Sequence, residues 1–179
     1  MPSNVQISRL APANLVLFKR DMQVAFQKGA EAEFGPLDVE ILPESHIDRS
    51  LATPGAVAFQ AVLDGELIGG AVVVLDVEKR RGELHFLYVK DGVQSRGVGQ
   101  ALWRAVEEAF PETDVWETCT PYFEKRNIHF YVNRLGFAAV EFYNPRHQDP
   151  RFPNDEAEED GDAPKLGGDY FFRFEKRTR

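Results

Sequence analysis

The sequence predicts a mixed α/β (α+β) fold with a mostly antiparallel central sheet flanked by helices. Three observations carry that expectation. Apolar residues recur at helical steps in three separate stretches. Three apolar runs follow one another between residues 56 and 89, two of them joined by the hairpin signal Asp64-Gly65. A glycine-spaced turn, Gly97-Val98-Gly99, then opens directly into a helical pattern. A chain of 179 residues with 43% hydrophobic and 28% charged residues suits one globular domain over 1–179, far from the composition of disorder.

Each element has its own signal. Leu15, Phe18, Met22 and Phe26 trace one stripe of a first helix, with Pro12 and Asn14 at its start and Gly29 as its expected end. Residues 31 to 55 hold Pro36, Pro43 and Pro54 and read as loops around a short helix, Glu44 to Ser50. Strands are expected at Ala56–Leu63, Leu67–Leu75 and Glu83–Val89, with a turn at Lys79–Gly82. Val98, Leu102, Ala105, Val106 and Ala109 form one face of a helix that Pro111 closes. A strand over Asp114–Thr120 follows, then a helix over Asn127–Leu135 with Gly136 as its cap. Phe137–Tyr143 and Tyr170–Phe174 read as closing strands. Between them, about residues 147–168, lies an acidic stretch read as a solvated, flexible loop, with six acids between Asp155 and Asp162.

The formal net charge is −8, which argues against a nucleic-acid partner and a polybasic membrane anchor. The longest apolar run, Leu67–Leu75, is too short to span a bilayer, and the N-terminus has no basic segment before an apolar core. Cys119 is the single cysteine, so no internal disulfide or multi-cysteine metal site can form, and a reducing compartment is expected. No His is spaced to join others around a metal, and none is expected. Cys119 itself reads as a small core residue on a buried strand. These points together describe a cytoplasmic protein.

The informative unit is the strand–turn–helix over Glu83–Phe110. Gly97 and Gly99 remove side chains where the backbone must approach something closely. Free N–H groups at the following helix N-terminus, with the helix dipole, suit a phosphate or pyrophosphate, and Arg96 adds a cation. The other reading is that both glycines only permit tight strand–helix packing. A P-loop is excluded because no G-x-x-x-x-G-K-[ST] exists, and the third glycine of the dinucleotide fingerprint is missing.

Gln94-Ser95-Arg96-Gly97-Val98-Gly99 resembles the (Arg/Gln)-x-x-Gly-x-(Gly/Ala) motif of the GNAT superfamily of N-acetyltransferases. Val89, five residues before Gln94, stands where that family has its strand-end apolar residue. Asn127 and the Tyr131…Gly136-Phe137 ending resemble the second family signature, and the element order matches from about residue 56 onward. The resemblance implies the acyl-CoA N-acyltransferase fold and acetyl-CoA as donor and co-substrate. It implies that Gln94, Ser95, Arg96, Gly97, Val98 and Gly99 hold the pyrophosphate. Leu87, Tyr88 and Val89 would pair with the pantetheine like an added strand, and Asn127 would touch the cofactor arm. The acceptor would be a primary amine of a small molecule or peptide.

An alkyl ammonium titrates near pH ~10, so it must lose a proton before attacking a thioester. Glu83, six residues before Val89, matches the separation of the catalytic Glu in histone-acetylating relatives. Period-2 alternation places Glu83, His85, Leu87 and Val89 on one face, and a buried Glu83 with a raised pKa would act through a water. His85 is the second base candidate. The bland readings are a solvated turn acid and a packed imidazole. Tyr131 is the candidate acid for the leaving thiolate. Gly136 follows it by five residues, one more than in most relatives, so Tyr131 as core or cofactor-edge packing stands beside the catalytic reading. An acidic surface suits cationic acceptors such as polyamines. Exposed C-terminal strands offer an edge for a homodimer. The rival function is a non-catalytic acyl-CoA-binding or regulatory module on the same fold.

Overall fold

The computed structural model describes residues 5–93, 97–151 and 170–178. Among the described residues, seven strands form one sheet in the order β1-β2-β3-β4-β5-β7-β6. The strands are β1 (Val5–Arg9), β2 (Ala56–Leu63), β3 (Glu66–Asp76), β4 (Arg81–Val89), β5 (Val115–Pro121), β6 (Ala138–Tyr143) and β7 (Phe171–Arg177). All neighbours run antiparallel except β4 and β5. The mixed, mostly antiparallel sheet flanked by helices is therefore the architecture of the chain.

The β2–β3 hairpin turns at Asp64 and Gly65, whose φ values of 52° and 85° are the paired left-handed residues of a tight two-residue turn. β1 was not expected. Its only apolar alternation is Val5 and Ile7, too brief a signal, and antiparallel pairing with β2 supplies the rest.

Two helices cover one face, α1 (Leu15–Phe34) and α2 (Glu44–Ala52). Their cluster joins Phe18, Met22 and Ile47 to Leu67, Val72 and Tyr88 of the sheet. Helix α1 runs through Gly29, the expected end, to a cap at Gly35 with φ 79°. Phe34 packs on Phe123 at 4.8 Å, and this contact anchors the last turn against the propensity cost of one internal glycine, about 1 kcal/mol.

The opposite face is covered by α3 (Val98–Ala109) and α4 (Lys125–His129), the latter continued by one π-helical turn, Phe130–Arg134. Here Leu102, Trp103 and Val106 meet Trp116, Phe137 and Phe174. The edge from Trp103 to Trp116 is a T-shaped contact at 5.1 Å. No described helix is long and apolar enough to cross a membrane.

Candidate active site

Strands β4 and β5 pair only at Arg81, Gly82 and Glu83, opposite Val115, Trp116 and Glu117. Beyond Glu83 they part. Thr118 Oγ donates to the Leu84 carbonyl at 3.0 Å, and from there to Tyr88 strand β4 has no strand neighbour on the β5 side among the described residues. This leaves an opening in the sheet whose β4 edge can accept an extended chain by strand addition.

Helix α3 starts beside that opening. Gly97 has φ 77° and is its N-cap, with no side-chain cap. The first helical bond runs from the Ala101 N–H to the Gly97 carbonyl at 3.0 Å. The N–H groups of Val98, Gly99 and Gln100 therefore precede the helical ladder, as an anion site requires. The two glycines do different work. A Cβ on Gly97 would meet nothing within 4 Å, so its need is conformational. A Cβ on Gly99 would lie 2.8 Å from the Phe130 ring and 3.5 Å from Leu87, so Gly99 sets the approach of α3 to β4 and the π turn. Gln94, Ser95 and Arg96 lie outside the described residues, as does the acidic run 155–162.

The expected common face of Glu83, His85, Leu87 and Val89 is corrected by a β-bulge. Val73 pairs with Leu84 and Val72 with Phe86, so His85 is the extra residue of β4. The bulge breaks period-2 alternation. Leu84, Leu87 and Val89 pack toward α3, whereas Phe86 and Tyr88 pack toward α1. His85 turns to α2, where Ser50 Oγ lies 2.7 Å from its Nδ1. His85 Nε2 lies 3.6 Å from Glu83 Oε2, so these two candidates meet. Sequence reasoning missed Ser50, since no local pattern announces a contact spanning 35 residues.

Other groups close around Glu83. Arg151 Nη1 is 3.5 Å from Glu83 Oε1. Arg151 is itself gripped by Asp149, at 3.0 Å from Nε and 2.7 Å from Nη2. Glu83 titrates below the usual carboxylate range, not above it: its hydrogen bond with His85 and the charge of Arg151 outweigh burial. The raised pKa expected of a buried base is thus overturned, because partners matter more here than desolvation. Burial would raise Asp149, but its bonds from Arg151 hold it low. Cys119, expected in the core, is exposed on β5, with its Sγ 3.5 Å from Arg151 Nη2. Desolvation nonetheless pushes its thiol up against the opposing Arg151 charge.

Tyr131 is buried among Phe130, Phe137 and Phe174. Burial pushes its pKa up to about 12, while a hydrogen bond with Thr118 pulls the other way. The extra residue between Tyr131 and Gly136 has a physical home in the π turn. The Leu135 N–H reaches the Phe130 carbonyl at 3.0 Å, five residues back, and the Phe137 N–H reaches the Tyr131 carbonyl at 2.9 Å. Asn127 is the third residue of α4, so it is not the N-cap. That position is Glu124.

The chain belongs to the acetyltransferase (GNAT) family, whose model matches residues 20–137. It is 40% identical over 165 residues to the uncharacterized protein YrkN of Bacillus subtilis strain 168, covering 92% of this chain and 88% of that one. The fold is shared with the ribosomal-protein-S18-alanine N-acetyltransferase of Escherichia coli, with a TM-score of 0.66 and 15% identity over 97% of this chain and 93% of that one. It is also shared with an IAA acetyltransferase of Bacillus cereus ATCC 14579, with a TM-score of 0.67 and 16% identity over 97% and 99%. The PaiA N-acetyltransferase of Thermoplasma acidophilum, solved in complex with coenzyme A, has a TM-score of 0.65 and 16% identity over 97% and 99%.

Proposed function

We propose that this chain transfers an acetyl group from acetyl-CoA to a primary amine of a small molecule or peptide by direct attack. One observation carries the reading: the open edge of β4 adjoins the uncapped first turn of α3, packed together at Gly99 and Leu87. The residues present fit the donor. The N–H groups of Val98, Gly99 and Gln100 would hold the pyrophosphate, together with Gln94, Ser95, Arg96 and Gly97 of the motif. Leu87, Tyr88 and Val89 would hold the pantetheine by strand addition, with Asn127 near the arm. Bound acetyl-CoA supplies the activated thioester.

The chain's own part is proton handling. Glu83 is ionised, and so is too weak a base alone for an ammonium titrating near ~10. The Glu83–His85 pair answers this. Glu83 Oε1 or Oε2 receives and orients the ammonium, whose proton passes through the carboxylate to water, and His85 Nε2, 3.6 Å from Glu83 Oε2, holds that carboxylate in place. Tyr131 stays protonated and enters as a hydrogen-bond donor beside Thr118 at the β5 side of the opening. The carboxylates of Glu83 and Asp149 favour a cationic acceptor. The cytoplasm, where acetyl-CoA is available, is the matching compartment. Edge strand β6 exposes Ala138, Ala139, Val140 and Phe142, which suits pairing of two copies.

Calorimetric titration of the full chain with acetyl-CoA, and separately with CoA, tests the donor site. Micromolar binding is expected, followed by turnover with polyamines or basic peptides. No binding at high ligand sinks the transferase reading. Binding without turnover of any amine supports the non-catalytic acyl-CoA-binding module, which the burial of Tyr131 favours.

A further inference from the structure

We infer that Ser50 is the positioning residue of the site: its hydroxyl donates to His85 Nδ1 and thereby fixes which imidazole nitrogen faces Glu83. The inference rests on the transferase reading for its consequence, but not for its geometry. His85 is the bulged residue of β4, so the strand ladder alone does not set its direction. Two groups hold the ring instead. Glu83 lies at the Nε2 side, and Ser50 Oγ lies 2.7 Å from Nδ1. An ionised carboxylate only accepts, so the nitrogen facing Glu83 carries the proton. In the neutral ring Nδ1 is then a bare lone pair, and Ser50 is the donor.

Ser50 is well placed to hold that direction. It is 6% exposed, in the last turns of α2, one turn after Ile47, which is fully buried against the sheet. The ring is further braced by an edge contact with Phe86, at 6.5 Å between centroids. Arg151 meets the pair at Glu83, and Asp149 holds Arg151. A serine that merely filled space would be replaceable by alanine. A donor serine would not be, because a half-buried acceptor would lose its partner.

The test is nitrogen NMR on the full chain with labelled histidine, at about pH 9, where imidazoles are neutral. The four His resonances are assigned with His85→Gln. In the parent, the unprotonated nitrogen of His85 is expected to be Nδ1, shifted upfield from a free pyridine-type nitrogen by the accepted hydrogen bond. Ser50→Ala should return that signal to the free position, and Ser50→Thr should restore the upfield shift. Protonation at Nδ1 in the parent, or an unmoved Nδ1 signal in Ser50→Ala, overturns the inference. Should Ser50→Ala fail to fold, the site of protonation in the parent decides alone. None of this needs acetyl-CoA or an acceptor, so failure of the transferase reading is told apart. Where turnover exists, Ser50→Ala should lower kcat roughly tenfold, the scale of one hydrogen bond, with KM for acetyl-CoA unchanged and Ser50→Thr recovering rate.

Discussion

The two faces of the β5–β7 half of the sheet are made by alternate residues of the same strands, yet they bury opposite chemistry. On the α3 side, Trp116 and Phe174 are fully buried in an aromatic cluster with Trp103 and Phe137. On the other face, Glu117, Arg173 and Glu175 form an ionic lattice with Arg81 and Glu141. Arg173 Nη1 lies 2.6 Å from Glu117 and 2.8 Å from Glu175, and Arg81 Nη2 lies 2.7 Å from Glu117. Among the described residues helices α1 and α2 pack on β2, β3 and β4 and not on this part of the sheet, whose second face is stabilised by ion pairing. The candidate site lies on the seam, where β4 leaves β5 and the ionic face passes into the apolar cluster under α1. Chemistry that moves protons needs groups that are partly dry and fully partnered, and this seam supplies both.

Breaking the apolar face should cost the most. Trp116→Ala removes a fully buried indole packed over Gly82 and Trp103, and should lower stability by about 3–5 kcal/mol, read from denaturant unfolding. Next comes the seam. Glu83→Gln keeps the side-chain shape and removes the charge, so kcat should fall about 10²-fold while acetyl-CoA affinity stays within about twofold. An unchanged kcat would remove Glu83 from the mechanism.

The ionic face should respond less and in a pH-dependent way. Arg173→Met leaves Glu117, Glu141 and Glu175 sharing fewer cations, at about 1–2 kcal/mol, since these groups are partly solvated. The hydrogen bond from Arg173 holds Glu175 below its ordinary value of 4.5. A depressed folded-state pKa stabilises above the unfolded value and is lost as pH falls through the folded one. Stability of the parent should therefore decline between about pH 5 and pH 3, and that decline should be shallower in Arg173→Met. Equal slopes would show that the lattice does not set the acid response.

The smallest change in stability belongs to the turn. Gly97→Ala meets no atom but strains a φ of 77°, costing about 1 kcal/mol, while acetyl-CoA affinity should drop by a larger factor. Affinity equal to the parent would remove Gly97 from the donor site.

Much of this was legible in the sequence, for reasons that differ by element. Asp64-Gly65 names its own turn because few residue pairs tolerate two left-handed positions. The stripe through Phe18 and Met22 names its helix because burial imposes its period. Gly97 and Gly99 mark a strand–turn–helix junction, although the sequence leaves open which glycine serves conformation and which serves packing. The Tyr131-to-Gly136 spacing shows one residue too many, but only the hydrogen bond from Leu135 to Phe130 reveals a π turn that absorbs it.

By itself, the sequence determined the period of each buried face, the turn at residues 64–65, the glycine junction before α3 and the family that these motifs match. These are local properties, written in neighbours a few positions apart. Tertiary structure alone decided that His85 bulges out of β4, that Ser50 and Glu83 hold its ring, that Cys119 faces outward and that partners hold the Glu83 carboxyl low. Each of those depends on groups brought together from distant parts of the chain, whose distances and charges no local pattern encodes.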